Sequence, residues 1–158
     1  MMLKFGKTWL YCFFLPLFFD RLTKYLVTHG VWQNQEITSF FELYLTYNRG
    51  ISWGMGNGES QVVFVTISLL VALVLMLFAW HVLGYLQSSS VKLYVKSSSL
   101  FVLSGALSNL MDRVLYGGVV DFILLHWHDW SFPIFNVADV YISMGMIVLL
   151  YAYLVDDL

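Results

Sequence analysis

Apolar residues fill four long stretches of the chain, and polar residues gather between them. Thr8 to Val27, Gln61 to Leu83, Ser97 to Leu115 and Ile134 to Val155 each reach the roughly 20 residues that a helix needs to cross a bilayer. The second contains no Lys, Arg, Asp or Glu. Four transmembrane helices are therefore expected at approximately 8–27, 61–83, 97–115 and 134–155. The loop at 28–60 has a different pattern. Phe41-Glu42-Leu43-Tyr44-Leu45-Thr46-Tyr47 looks like a strand, and Gly50, Gly54, Gly56 and Gly58 then break the chain into turns. The loop at 116–133 opens on Gly117-Gly118 and carries a second possible strand, Val119 to Leu125. The expected fold is an all-α membrane protein with four transmembrane helices and a small β-like element outside the membrane on the outer face. Residues 1–158 are expected to form a single integral membrane domain.

Composition agrees with this reading. The 158 residues are 59% hydrophobic, 18% aromatic and only 11% charged, more apolar surface than a soluble domain of this size could bury. A net charge of -2 gives no basic excess for a nucleic acid. Cys12 is the only cysteine, lies in an apolar run with no base beside it, and reads as packing. Lys4 and Lys7 before the apolar run Thr8 to Phe19 imitate a secretory signal, but no small-x-small site follows and the helical pattern continues to Val27. A retained first span is the better reading, with Pro16 only bending it. Lys4, Lys7, Lys92 and Lys96 precede span one or lie between spans two and three, while the two larger loops contain only Arg49. Both termini are then cytoplasmic and the larger loops lie outside, although two lysines a side is a modest bias that leaves the opposite orientation open.

An aspartate near the middle of a spanning helix costs about 2.5–3.5 kcal/mol, so each one needs a partner or a task. Asp20 comes twelve residues after Thr8 and Asp112 fifteen after Ser97, about 18 and 22 Å along outward-running helices. Asp121 follows just past the outer end of span three, and Asp139 lies about 8 Å below the outer end of span four. Four carboxylates from three segments thus converge on one depth. Lys24, one turn after Asp20, shares its depth with Arg113, Asn48, Asn109 and Asn136. Asp20 with Lys24, and Asp112 with Arg113 or the first-span cations, can form neutral pairs. Asp121 and Asp139 have no cation adjacent in sequence. Two carboxylates close together in a poorly solvated site share a proton, the condition for an aspartyl dyad that activates water. Proton relays and ion pathways use intramembrane carboxylates as readily.

Five blocks of the chain resemble the signature of the lipoprotein signal peptidase (signal peptidase II) family. They are Asp20-Arg21-Leu22-Thr23-Lys24, Asn48-Arg49-Gly50-Ile51-Ser52-Trp53-Gly54, Ser108-Asn109-Leu110-Met111-Asp112-Arg113, Val119-Val120-Asp121-Phe122 and Phe135-Asn136-Val137-Ala138-Asp139. The resemblance implies Asp121 and Asp139 as the catalytic dyad. It implies Asp20, Lys24, Asn48, Gly50, Asn109, Asp112, Arg113, Asn136 and Ala138 as substrate-binding or supporting positions. It further implies an aspartic endopeptidase of the bacterial cytoplasmic membrane, working without metal or cofactor. Its substrate would be a lipoprotein precursor, cut just before a cysteine that carries a diacylglyceryl group. Membrane lipids are its surroundings, and no oligomer is required. Ser108 departs from the family's usual glycine, and Ile51-Ser52-Trp53 is bulkier than its usual small residues.

Other readings use the same residues. Gly50-Ile51-Ser52-Trp53-Gly54 matches the G-x-S-x-G elbow of serine hydrolases, but without the sheet, acid and histidine that elbow needs. A Ser-Lys dyad on Lys24 would have its amine held charged by Asp20 and Asp112. His126 and His128 offer two ligands where a metal site wants three or four converging ones, so no metal is expected, and Trp127, Trp130 and Phe132 read as an interfacial belt. A small proton-coupled transporter would want its charges at the midplane of a repeat, and no repeat is visible. An inactive relative that only binds precursors would have no need of an intact Asp121 and Asp139.

Overall fold

The computed structural model of the chain describes residues 3–32, 34–50, 61–88 and 90–155, with residues 3–8 as backbone only. Eight elements follow one another: α1 (Leu3–Thr28), β1 (Gln35–Thr38), β2 (Phe41–Asn48), α2 (Gln61–Gln87), α3 (Leu93–Tyr116), β3 (Val119–Trp127), β4 (Trp130–Ser131) and α4 (Val137–Val155). Gly54, Gly56, Gly58 and the Ile51-Ser52-Trp53 stretch lie outside the described residues.

The starts of α1 and α3 and the end of α2 run about a turn beyond the apolar stretches, because backbone hydrogen bonding propagates into polar residues that a hydropathy reading stops at, and most other ends agree within a residue. The exception is the start of α4. Ile134 to Asn136, expected as helix, instead run beside β3, where the Phe135 N–H donates to the Ile123 carbonyl at 3.1 Å and the Ile123 N–H returns the bond at 2.8 Å. Asn136 then starts the helix. Its Oδ1 accepts the Asp139 N–H at 2.9 Å and its own N–H donates to Asp139 Oδ2 at 3.1 Å, a reciprocal cap in which both partners are short polar side chains.

The two expected strands form, and the sheet is larger than expected, with four antiparallel strands in the order β1-β2-β3-β4. β1 and β4 have only 4 and 2 residues, too few for a period-two pattern to stand out. Gly117 closes α3 in the left-handed conformation at φ 68, which glycine adopts without strain, and so turns the chain straight into β3. Val120 and Phe122 point to one face of β3 and pack with Val27 of α1 and Leu43 of β2, seating the sheet on the end of α1. Asp121, between them, therefore points the other way.

α3 is the central helix and packs against α1, α2 and α4. Its approach to α4 is close. A Cβ on Gly105 would sit 2.7 Å from the Ala138 carbonyl oxygen, and one on Gly145 would sit 2.8 Å from the Ser98 carbonyl oxygen. Small residues at such crossings let helices pack without help from water. Among the described residues, two helices are long and apolar enough to cross a membrane, α2 and α4. Asp20 and Lys24 are buried, while Leu10, Tyr11, Phe14, Phe18 and Phe19 are exposed.

Candidate active site

All eleven candidate residues meet in one connected network at the sheet end of the bundle, Arg113 joining it through Gly50. Lys24 is at its centre. Its Nζ lies 2.8 Å from Asp20 Oδ2 and 2.7 Å from Asp112 Oδ2, and it donates to Asn109 Oδ1 at 2.7 Å. An ammonium has three protons, and all three are used. All of Asp20, Lys24 and Asp112 are essentially inaccessible to solvent.

Each of these two carboxylates also grips backbone. Asp112 Oδ2 accepts the Val120 N–H at 3.1 Å, and Asp20 Oδ1 accepts the Ala138 N–H at 2.7 Å. Val120 immediately precedes Asp121, and Ala138 immediately precedes Asp139. One lysine thus ties together two clamps, each set one residue before a member of the unpaired aspartate pair.

Asp121 and Asp139 are held by amides instead of cations. Asn48 Nδ2 donates to Asp121 Oδ2 at 3.0 Å and Asn136 Nδ2 to Asp121 Oδ1 at 2.6 Å. Asn109 Nδ2 donates to Asp139 Oδ1 at 2.9 Å, while Asp139 Oδ2 takes part in the cap with Asn136. Asn136 and Asn109 are themselves joined at 3.2 Å, so the two carboxylates are linked through two carboxamides. Asn48 is fixed in turn by the Gly50 N–H, which donates to its Oδ1 at 2.9 Å.

Both aspartates line a cavity of 490 Å³ whose other walls are largely apolar, including Ile67 and Val71 of α2 and Ile142 and Ile147 of α4. Burial first, and then the charge of Asp139, push Asp121 up from the ordinary aspartate value of 3.8 to about 7. The bonds from Asn48 and Asn136 work in the opposite direction and lose. At neutral pH the pair is therefore poised to hold one proton between them.

Arg113 is not the partner of Asp112. Residues adjacent on a helix point about 100° apart, so when Asp112 faces α1 its neighbour faces elsewhere. Arg113 Nη2 donates to the Gly50 carbonyl, and the guanidinium lies over the Phe64 ring at 5.7 Å. Its Nη1 is buried at the cavity wall with no acceptor among the described residues. Asp112 pairs with Arg21 as well as Lys24, which leaves the first-span cations as its partners.

Arg21 and Ser108 are members of the network that reading residue types did not single out. Arg21 lies one residue after Asp20, in a block already matched. A search for every cation within one turn of a buried acid would have found it. Ser108 was noted only as a departure from a pattern, yet its Oγ donates to Asp20 Oδ2 at 2.6 Å. Ser52 lies outside the described residues.

The family model described as signal peptidase (SPase) II matches residues 12–155. The lipoprotein signal peptidase of Burkholderia vietnamiensis is 36% identical over 149 residues, covering 90% of this chain and 85% of that protein. That of Mesorhizobium japonicum is 33% identical over 138 residues, covering 86% and 79%. Two solved structures of bacterial membrane enzymes superpose with TM-scores of 0.73 and 0.74. They are 28% and 26% identical and cover 96% and 95% of this chain, which spans 90% and 94% of theirs. Matched over nearly its whole length in sequence and in three dimensions, the chain belongs to the signal peptidase II family.

Proposed function

We propose that this protein removes signal peptides from lipoprotein precursors by an aspartyl mechanism centred on Asp121 and Asp139. The observation that carries the mechanism is the pair itself: a buried and a half-buried carboxylate without a cation of their own, linked through Asn109 and Asn136, both on one cavity. The ionised member takes a proton from a water, which attacks the scissile carbonyl. The protonated member gives its proton to the forming oxyanion or to the leaving amine. No metal is required for either step.

The substrate enters as a precursor whose cysteine carries a diacylglyceryl group, cut on the amino side of that cysteine. An apolar cavity at the outer ends of the helices suits a bond held at that depth by its own lipid anchor, and such anchoring can lower a barrier by several kcal/mol, or about a thousandfold or more in rate. All four helices cross the bacterial cytoplasmic membrane, with both termini cytoplasmic and the sheet outside. The chain acts as one integral domain. Asp20, Arg21, Lys24 and Asp112 of α1 and α3 neutralise one another in ion pairs, and apolar side chains are left facing lipid.

The test is cleavage of a synthetic diacylglyceryl-cysteine peptide by purified protein. Wild type should cut it just before the cysteine, and Asp121→Asn and Asp139→Asn should each slow cleavage by about 10²–10⁴-fold while remaining folded. Undiminished cleavage by either variant would overturn the dyad.

A further inference from the structure

Ser108 is completely buried on the face of α3 that meets α1, and it forms no part of the cavity wall. Its hydroxyl proton has a single destination. Arg21 Nη1 lies 3.4 Å from Ser108 Oγ and also 3.4 Å from the Ser108 carbonyl oxygen, so the hydroxyl oxygen accepts from the guanidinium and donates to Asp20 Oδ2 at 2.6 Å.

Asp20 consequently has three donors around one carboxylate: Ser108 and Lys24 on Oδ2, and the Ala138 N–H on Oδ1. Two routes lead from there to Asp139. The first passes through Ala138 to the next residue in the first turn of α4. The second passes through Lys24 to Asn109, whose amide donates to Asp139 Oδ1. Without the hydroxyl, Oδ2 keeps Lys24 as its remaining donor. The carboxylate is then free to turn toward the ammonium, which loosens the grip on Ala138 and draws Lys24 away from Asn109.

We propose that Ser108 is a positioning residue of the active site, whose hydroxyl locks the Asp20 carboxylate and through it sets the orientation of Asp139. The proposal rests on the peptidase reading above.

The experiment compares Ser108→Ala, which removes the hydroxyl, with Ser108→Cys, which keeps the volume but offers only a weak S–H donor. Both are assayed on the diacylglyceryl-cysteine peptide below their melting temperatures. Both should lose kcat by roughly tenfold, the scale of one hydrogen bond to a charged group, with KM unchanged because Ser108 touches no cavity surface. Three outcomes overturn the proposal: unchanged kcat in Ser108→Ala, wild-type kcat in Ser108→Cys, or a loss carried by KM. The second of these would mean that Ser108 only fills space. Failure of the wild-type protein to cut the peptide would overturn the peptidase reading itself, and is distinct from all three.

Discussion

Asp121 keeps its proton up to about pH 7 because burial and the nearby charge of Asp139 outweigh its two amide donors. The folded protein therefore binds a proton that the unfolded chain releases near 3.8, and stability falls as pH rises from about 4 through about 7. Asp121→Asn removes that dependence, so its thermal midpoint should be flatter than that of wild type between pH 5 and 8. Activity should follow the same group, with kcat/KM showing an alkaline limb near the pH at which the pair loses its shared proton, about 7. The Asn48 bond lowers Asp121, so in Asn48→Ala that limb should move to higher pH. A limb that stays in place would show that Asp121 does not carry the proton. Lys24 poses a different problem at the same scale. Lys24→Met would leave Asp20 and Asp112 buried with their shared cation gone, a loss of about 3–5 kcal/mol, which a thermal melt in detergent should detect.

The contact between α3 and α4 is where packing meets chemistry at the level of whole elements. At Gly145 an added Cβ meets the Val102 side chain at 2.6 Å and the Ser98 carbonyl at 2.8 Å, well away from the dyad. Gly145→Ala should cost about 1–3 kcal/mol of stability, with activity retained where the protein stays folded. At Gly105 the same Cβ meets the carbonyl oxygen of Ala138, in the turn that carries Asp139. Backbone cannot swing aside as a side chain can, so Gly105→Ala should shift the start of α4 and lower kcat beyond what its stability loss explains. Melting temperature and kcat measured on both variants check this contrast. Equal behaviour of the two would separate the helix contact from the chemistry.

For the molecule as a whole, polarity is inverted. Asp20, Arg21, Lys24 and Asp112 of α1 and α3 face inward and pair, while Leu69, Val74, Trp80 and Ile147 are among the many large apolar groups facing outward. A water-soluble protein would not leave that surface open, and a lipid solvent explains it. Orientation can be checked in a Cys12→Ser background with a membrane-impermeant thiol reagent. Ser131→Cys in β4 should react from outside the cell and Ser90→Cys, between α2 and α3, only after lysis. The reverse pattern would invert the proposed topology.

The sequence by itself determined what depends on near neighbours. Runs of apolar residues located four helices to within a few residues, and alternation located β2 and β3. The one-turn spacing of Asp20 and Lys24 predicted a pair that forms at 2.8 Å. The lack of any cation beside Asp121 and Asp139 separated them from the other acids. The tertiary structure decided what depends on which faces meet. It gave Asp112 to Arg21 and Lys24 over its neighbour Arg113, turned Arg113 toward Gly50, and placed the clamps one residue before Asp121 and Asp139. It also joined Ser108 to Asp20. Helical period and hydropathy act over a few residues, whereas these bonds join groups as much as 118 residues apart and form only once α1, α3 and α4 have packed. The cap on α4 lies between these cases, since Asn136 and Asp139 are three residues apart and carry the spacing of a helix start, but the apolar Ile134 and Phe135 before them hid it.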